Sequence, residues 1–376
     1  MISRQKMVGK AADAACEKVH KSLASLSISV AMATFNGAAY LDRQLADLAA
    51  QTALPAELVV CDDGSTDETL DILQRFAASA PFPIRVHRNP ERLGYRANFL
   101  KCASLCRSDL IAFCDQDDRW LPTKLATMLT YFDDPDVLLA FHRAEIIAQD
   151  ERPLGRFAQM PRPVGESPPL AGSPWTFALG FTQIFRRSLC GCDRWWPLSL
   201  DHNSAEERMA HDQWYFFLAS VFGTIVNVDT PLVRYRQHDR NVFGWSKAKR
   251  SWRARFFDRV RSVASMAKRR VNAATQRANI LDAAAGALPS PFRERALKGA
   301  DAYRHLAALC AKRAGIYAGT SFIDRARSFA SLVRARGYGA DPARLGAGAL
   351  LVDAFIGVSG LLTGAAKADS HGGIES

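Results

Sequence analysis

The sequence lacks the features that identify several common protein classes. Its eight cysteines include no Cys-x-x-Cys pair and no zinc-like Cys/His spacing, so we expect buried thiols in a reducing compartment. Residues 1–22 contain no apolar core of signal-peptide length, and we therefore expect a cytoplasmic protein whose residues 1–26 form a leader without chemistry. No predicted strand is followed by a Gly-x-Gly-x-x-Gly or Walker-type loop, which disfavours the usual dinucleotide and P-loop folds.

The positive charge of the chain is concentrated in one stretch. The 376 residues carry a formal net charge of +11, and residues 247–277 contain eleven Lys and Arg against one acid, Asp258. Because 48% of the residues are apolar, the chain can bury a substantial core. The length fits one large domain with an appendage.

Apolar strands and helical patterns alternate in the first third of the chain. Strands are predicted at residues 27–34, 57–61, 84–87 and 110–114, with helical apolar spacing between them. This order predicts an α/β fold with a Rossmann-like, mostly parallel sheet and helices on both faces. Ser65 and Glu68 have the spacing of a capping box, which predicts a helix start there. Strand signals end at Ser246, and a helical C-terminal region is expected beyond it.

Carboxylates follow two of these strands. Asp115, Asp117 and Asp118 come directly after the strand at 110–114, and Asp62 and Asp63 follow the strand at 57–61. Such acids repel one another, so a divalent cation that prefers oxygen ligands, Mg²⁺ or Mn²⁺, would neutralise them. Parallel strands bind ligands at their carboxyl ends, which favours a nucleotide site at this edge. The alternative is an Asp-rich turn that caps the next helix and binds no metal.

Four motifs in order resemble a known family. They are Ala33–Gly37 (ATFNG), Val60–Asp67 (VCDDGSTD), Asn89–Asn98 and Cys114–Trp120 (CDQDDRW). Together they resemble the inverting family-2 glycosyltransferases of GT-A fold, most of all the bacterial rhamnosyltransferase-type enzymes of surface-polysaccharide assembly. The resemblance implies a catalytic domain at 27–245, followed by a basic helical region at 246–376.

The resemblance also implies roles on the donor side of the site. Thr34 and Asn36 would line the nucleotide pocket, and Asp62 would accept a hydrogen bond from the base N–H, with Asp63 beside it. Arg96 would approach the diphosphate. Asp115 would lie near the ribose and, with Asp117, at the metal. Arg236 and His238 would contact the diphosphate or the metal, unless they belong to an ordinary surface loop.

On the acceptor side, the resemblance implies that Asp212 is the general base. It begins a predicted helix, where an acid is also explained by the helix dipole alone. The role of the preceding His211 is open between a cap and a solvent-facing residue. Thr182 belongs to a segment that resembles the acceptor pocket, and Trp120 is either a sugar-stacking residue or part of the core.

The expected function is transfer of a single sugar from a nucleotide-sugar donor, dTDP-rhamnose or a UDP-sugar, to a glycan or lipid-linked glycan. No nucleic-acid partner is expected. One alternative is a sugar-nucleotide pyrophosphorylase, although Met32–Gly37 lacks the basic glycine-rich loop that such enzymes need. The other is a non-catalytic basic binder of a membrane surface or of nucleic acid.

Two C-terminal stretches bear on membrane attachment. An apolar stripe follows helical spacing within the basic region, at Trp252, Phe256, Val260, Val263, Ala267 and Val271. Such a helix lies on an anionic surface, here the inner face of the plasma membrane, or packs on the protein with its basic face in water. Leu345–Thr363 is apolar but contains Asp353 and several glycines, so a docked or surface-seated helix is expected there rather than a span.

Overall fold

The computed structural model describes residues 26–157, 163–204, 206–238, 252–339 and 344–360, without the side chains of 252–261 and of Ala347. The predicted leader, apart from Leu26, and residues 361–363 lie outside this range. The chain divides into unit 1 (Met1–Pro169, Phe177–Asp193 and Ala210–Gly244) and unit 2 (Leu170–Thr176, Arg194–Met209 and Trp245–Ser376). The last division lies next to the predicted boundary after residue 245, but two short segments of the expected catalytic domain group with unit 2.

Unit 1 contains ten strands and five helices among the residues described. The strands are β1 (Ile28–Thr34), β2 (Glu57–Asp62), β3 (Ile84–Arg88), β4 (Leu110–Asp115), β5 (Arg119–Trp120), β6 (Val137–Ile147), β7 (Pro153–Phe157), β8 (Gly165–Ser167), β9 (Gln183–Arg186) and β10 (Thr224–Arg236). The helices are α1 (Ala38–Ala49), α2 (Thr69–Ala77), α3 (Gly94–Leu105), α4 (Lys124–Leu129) and α5 (His211–Phe222), with a 3₁₀ turn at Gly180–Thr182. A second 3₁₀ run, Arg187–Leu198, continues into unit 2.

The ten strands form one mixed sheet in the order β3-β2-β1-β4-β9-β6-β10-β5, with β7 beside β6 and β8 beside β10. Strands β1 to β4, β6 and β10 run in one direction, because β9 pairs antiparallel with both β4 and β6. The predicted mostly parallel sheet with helices is therefore confirmed. All six residues of β2 are buried, as a strand covered on both faces requires.

The strand register brings the predicted acids to one edge of the sheet. Thr34 at the end of β1 pairs with Asp62 at the end of β2, and Ala33 pairs with Asp115 at the end of β4. Because these three strands are parallel, the loops that follow them leave the sheet on the same side. This edge is where a site can form.

The predicted capping box after β2 is wrong. Helix α2 begins at Thr69 and has no side-chain cap from Glu68. The Ser65 hydroxyl instead donates to Asp62 Oδ2 at 2.5 Å, and Asp67 Oδ1 accepts from the backbone N–H of Thr69 at 3.1 Å. Ser65 therefore bonds to Asp62 at the end of β2 and does not cap the helix.

Unit 2 is helical. It comprises α6 (Trp252–Ala285), α7 (Phe292–Ala318), α8 (Phe322–Arg334), α9 (Ala347–Val352) and a π-helical turn at Asp353–Gly357. Val263 and Ala267 of the predicted stripe are buried, so this part of α6 packs within unit 2. Trp252, Phe256 and Val260 lie outside the described side chains.

The apolar C-terminal stretch is fixed by its one acid. Asp353 is fully buried and receives two bonds from Arg313 Nε (2.8 and 3.1 Å), one from the Tyr317 hydroxyl (2.5 Å) and one from the Tyr338 hydroxyl (2.8 Å). A buried carboxylate with this many donors holds the segment on the helical unit. Within the described part of the chain, no helix combines the length and the apolar character that crossing a bilayer requires.

Candidate active site

A cavity of about 1160 Å³ lies at the carboxyl ends of β1 and β4 in unit 1. Its size exceeds the roughly 300–1,000 Å³ of common ligand sites, which leaves room for a ligand of several rings. The predicted site residues that line it are Thr34, Asn36, Asp63, Asp115, Asp117, Asp212 and His238. Their gathering in one cavity is the central feature of the site.

Asp115, Asp117 and His238 form the acidic side of this cavity. His238 Nε2 lies 2.8 Å from Asp117 Oδ2, and the imidazole stacks on the Tyr40 ring with centroids 5.0 Å apart. Burial raises the pKa of Asp115 to about 8, and the charges of Asp117 and Asp212 contribute to the rise. The acids thus oppose one another's ionisation, as expected for a group that a cation would neutralise.

Asp118 adds a third carboxyl behind the cavity. Its Oδ1 accepts from the backbone N–H of Arg236 at 3.0 Å, whereas its buried Oδ2 has no hydrogen-bond partner among the described residues. Burial and the charges of Asp117 and Asp115 hold the pKa of Asp118 well above its usual range.

The donor set at this edge fits a divalent cation that a ligand helps to hold. In the described ranges, no three His, Cys, Asp or Glu side chains are grouped closely enough to hold a metal ion. Asp117 and His238 can supply two ligands, and Mg²⁺ commonly combines one or two carboxylates with substrate phosphate oxygens. A metal at this site would therefore bind together with a diphosphate.

Arg236 does not reach the cavity as predicted. It is 2% exposed, and it donates to the carbonyl oxygens of Asp117 (2.9 Å) and Gln149 (2.8 Å) and to Glu151 Oε1 (3.0 Å). Glu151 also accepts from Arg119 at 2.7 Å. Burial opposes the ionisation of Glu151, but the hydrogen bonds and charges of Arg236 and Arg119 lower its pKa to about 2. Arg236 therefore supports the backbone behind the acids and contacts no ligand space.

Asp212 lies at the start of α5 and faces the cavity. Its Oδ1 accepts from the backbone N–H of Gln213 at 2.8 Å, and the backbone N–H of Gly180 also donates to the carboxyl. The side chain is 5% exposed, and burial raises its pKa to about 7 in spite of these donors. A carboxyl with that pKa can accept a proton near neutral pH.

His211 is neither a cap nor a solvent-facing residue. Its imidazole stacks on the Phe99 ring (centroids 4.0 Å apart) and meets the Phe113 ring edge-on at 4.7 Å. Burial, reinforced by the charge of Arg96, lowers the pKa of His211 to about 3. The residue beside Asp212 is therefore neutral at physiological pH and adds no positive charge next to the carboxylate.

The carboxylate of Asp62 holds two strand ends together. It is fully buried and accepts from the Thr34 and Ser65 hydroxyls (3.0 and 2.5 Å) and from the backbone N–H groups of Ser65 and Gly64 (2.9 and 3.2 Å). These bonds occupy both oxygens and tie the ends of β1 and β2 together. Asp62 is absent from the cavity lining, and its predicted contact with a nucleotide base stays a prediction that would require it to exchange one of these bonds.

Asn36 and Asp63 line the cavity, but their side chains also support the loops around it. Asn36 has a positive φ of 48°, and its Oδ1 accepts from Thr66 N at 2.8 Å. Asp63 accepts from the backbone N–H groups of Leu93 (2.7 Å) and Gly94 (2.8 Å), which orders the start of α3.

Thr182 and Trp120, the predicted acceptor residues, both lie outside the cavity lining. Thr182 is fully buried, and its hydroxyl donates to Leu179 O at 2.7 Å. Trp120 is 2% exposed, with Lys124 Nζ 3.3 Å from the centre of its ring. The core interpretation of Trp120 holds. Backbone neighbours of Thr182, at residues 179–181, line the cavity in its place.

The structure places two arginines of the loop at 89–98, Arg96 and Arg92, differently from the sequence prediction. The charge of Arg96 lowers the pKa of both His211 and Asp212, which places it on the side of the predicted base. Arg92 was not predicted, yet it lines the cavity with its guanidinium 3.8 Å from the centre of the Phe35 ring. Both arginines belong to the predicted loop 89–98. The start of α3 separates them, and no sequence signal distinguished which one faces the cavity.

Comparison with known proteins gives a family match over part of the chain. Residues 29–192 match the family model "Glycosyl transferase family 2". An uncharacterized glycosyltransferase of Nostoc sp., alr2836, is 26% identical over 222 residues, which cover 57% of this chain and 66% of that protein. The Mycobacterium tuberculosis protein Rv1520 is 33% identical over 126 residues, covering 33% of this chain and 36% of its own. The chain thus spans just under two thirds of the first relative and about a third of the second.

A named enzyme and a solved structure are also similar. The dTDP-rhamnosyl transferase RfbG of Shigella flexneri is 25% identical over 228 residues, covering 57% of this chain and 73% of RfbG. The crystal structure of S. aureus TarS 1–349 in complex with UDP-GlcNAc aligns with a TM-score of 0.46 and 17% identity, covering 82% of this chain and 81% of that one.

Proposed function

We propose that this chain, whose residues 29–192 form a family-2 glycosyltransferase domain, transfers one sugar from a nucleotide-diphosphate donor to a hydroxyl of a glycan or lipid-linked glycan, with inversion at the anomeric carbon. One observation carries the proposal: Asp117 with His238, which suit a cation, and Asp212, which suits a base, line the same cavity. A displacement reaction needs these two functions on either side of the reacting carbon.

Asp212 is the proposed general base. The acceptor oxygen attacks the anomeric carbon from the face opposite the diphosphate, and the bond from that carbon to the diphosphate oxygen breaks with its electron pair. The hydroxyl proton passes to the Asp212 carboxylate, whose raised pKa makes it a stronger base than an exposed aspartate. The neutral His211 beside it does not compete for this role.

Asp117 and His238 are the proposed protein ligands of Mn²⁺ or Mg²⁺, and Asp115 lies next to them in the cavity. Such a cation supplies positive charge to the departing diphosphate. Arg92, which also lines the cavity, is a cation available to a bound nucleotide. The donor is dTDP-rhamnose or a UDP-sugar, and the similarity to RfbG supports the first.

The test is a donor-hydrolysis screen across nucleotide sugars with and without Mn²⁺, followed by calorimetry of nucleoside diphosphate binding. Asp117→Asn should abolish the Mn²⁺-dependent part of the binding, because one of the two protein ligands is lost. Asp42→Asn, on the exposed side of α1, removes the same charge away from the cavity and should bind like wild type. Unchanged Mn²⁺-linked binding in Asp117→Asn would refute the site.

We include peripheral attachment to the inner leaflet in the proposal only because the acceptor can be lipid-linked. A lipid-linked glycan would be met at a membrane surface, and the basic stretch at residues 247–277 would favour anionic lipid. Fractionation with salt and carbonate washes tests it. A protein that stays wholly in the soluble fraction at low salt contradicts the attachment but leaves the transfer reaction intact.

A further inference from the structure

Two arginines of α6 occupy positions where its packing face requires apolar residues. One face of α6 is marked by four buried apolar residues, Val263, Ala267, Ala274 and Leu281. Arg270 and Arg277 lie between them in the sequence, at helical spacing that puts them on the same face. Successive steps of four and three residues keep all six positions on one side of a helix. A guanidinium placed there loses water and must be compensated by another group.

Aromatic rings and one carbonyl supply part of that compensation within unit 2. The Cζ atoms of Arg270 and Arg277 lie 4.9 and 5.2 Å from the centre of the Trp175 ring, and that of Arg277 lies 5.5 Å from the Tyr303 ring. Arg277 Nη1 also donates to the carbonyl oxygen of Pro174. The indole of Trp175 thus lies against two cations, an arrangement that attracts each of them but neutralises neither.

No carboxylate pairs with Arg269 or Arg270 in the part of unit 2 that the structure describes. The Nε atoms of both residues are buried and have no hydrogen-bond partner there. Burial lowers the pKa of Arg270 to about 10, and repulsion from neighbouring arginines contributes. Asp353, a buried acid of unit 2, is already bound by Arg313.

His202 reports the same positive field. Its ring lies 5.4 Å from that of Trp175, and burial together with the charges of Arg277, Arg270 and Arg269 lowers its pKa to about 3. A neighbouring acid, Asp201, lies with its Oδ1 3.8 Å from His202 Nδ1, and that oxygen accepts from the backbone N–H of the next residue but one. The group therefore combines three guanidinium cations with a neutral imidazole.

We propose that Arg269, Arg270 and Arg277, with Trp175 and His202, form an anion site that takes a phosphate or diphosphate group. The planar fork of a guanidinium matches phosphate oxygens, and the buried Nε–H groups of Arg269 and Arg270 are donors of the kind that such an anion would satisfy. The site lies wholly in unit 2 and goes beyond the proposed transferase activity. Its anion is either free, as pyrophosphate, or carried on a phospholipid headgroup.

Calorimetry on the full chain in EDTA tests the site with inorganic pyrophosphate. EDTA removes the divalent cation that the acid-lined cavity of unit 1 would need for a diphosphate, and the part of the binding that is lost in an arginine variant of the site reports on unit 2. We expect saturable binding by the wild type, weakened about tenfold or more in Arg270→Gln, which loses a charge-assisted donor. Lys298→Gln removes an exposed positive charge from α7 and should bind like wild type.

A second variant and a second ligand source complete the test. If Arg270→Gln fails to fold, Arg269→Gln replaces it, since the Nε of that side chain has no hydrogen-bond partner among the described residues. Co-sedimentation compares binding of the protein to phosphatidylglycerol vesicles with its binding to phosphatidylcholine vesicles. A phospholipid headgroup is identified as the source of the anion if the protein binds phosphatidylglycerol, the same variant loses that binding, and pyrophosphate itself does not bind. Absence of saturable binding to both probes, or equal binding by the variants and wild type, overturns the proposal. If the donor screen shows no transferase activity, the outcome of this anion-binding test still stands.

Discussion

Replacing Asp212 by asparagine should make the protein more stable at alkaline pH while it destroys turnover. Asp212 has a pKa of about 7 in the folded chain, against an ordinary value of 3.8. The folded state therefore binds the proton more tightly than the unfolded state, and its stability falls as the pH rises between these two values. Above about pH 7 the whole cost of holding a buried charge is present. Below the ordinary value it is absent.

The structure sets the size of this effect. A rise of about three pKa units, at about 1.4 kcal/mol for each, corresponds to about 4 kcal/mol. This rise is already net of the bonds from the backbone N–H groups of Gln213 and Gly180, which favour the charged carboxylate. The gain expected at pH 8 is therefore up to about 4 kcal/mol. The gain should shrink as the pH is lowered towards the ordinary aspartate range.

Urea denaturation of wild type and Asp212→Asn at several pH values measures the difference in the free energy of unfolding. Transferase assays on the same samples should show turnover lowered by roughly 10²-fold or more, with donor binding nearly intact. Wild-type turnover should itself rise with pH through about 7, because only the ionised base is active. Asp42→Asn, an exposed acid, should change neither quantity. A stability difference that is independent of pH would refute the burial argument, and full activity would remove Asp212 from the mechanism.

Two further substitutions test the supports of the site. Glu151→Gln should lower the free energy of unfolding by about 1–2 kcal/mol and weaken donor binding, because three arginines lose their common carboxylate; Asp150→Asn, an exposed neighbour, is its control, and equal denaturation midpoints would contradict the expectation. Gly180→Ala would place a Cβ 2.6 Å from His211 Nε2, so kcat should drop about tenfold with donor KM unchanged, whereas Gly191→Ala, which meets nothing within 4 Å, should behave as wild type. A kinetically silent Gly180→Ala would show that the start of α5 tolerates the displacement.

The sequence predicted the architecture and the acids that meet at the sheet edge. Strand ends could be located from apolar runs, and parallel pairing then required that Asp115 and Asp117 open onto the same space as Thr34. Asp212 could be placed there only through the family resemblance, because nearly a hundred residues separate it from Asp115 and no local pattern joins them. Its role as a base stays a prediction.

The side chains that the structure places away from the cavity share one physical cause, which is competition for hydrogen bonds that the sequence does not display. Asp62 follows its strand as Asp115 does, yet the turn at Gly64 and Ser65 consumes its carboxylate. The guanidinium of Arg236 donates to a backbone carbonyl and to the carboxylate of Glu151. No sequence motif indicated that Glu151 would be its partner. Which polar side chain faces a cavity depends on these competing hydrogen bonds. Their partners come from distant parts of the chain or from the turn geometry, and they become apparent only in the folded structure.

The order in which the chain supplies the cavity has a consequence for exchange between relatives. Asp117 and the side of the cavity proposed for the nucleotide come from residues 33–117, whereas His238 and the walls around Asp212 come from residues 149 and 179–238. The antiparallel strand β9 joins the two contributions by pairing with β4 on one edge and β6 on the other. If the proposed function holds, grafting the later segment without His238 should exchange the acceptor preference, so long as β9 keeps its register, and the donor preference of such a chimera should remain that of the parent that supplied the first segment.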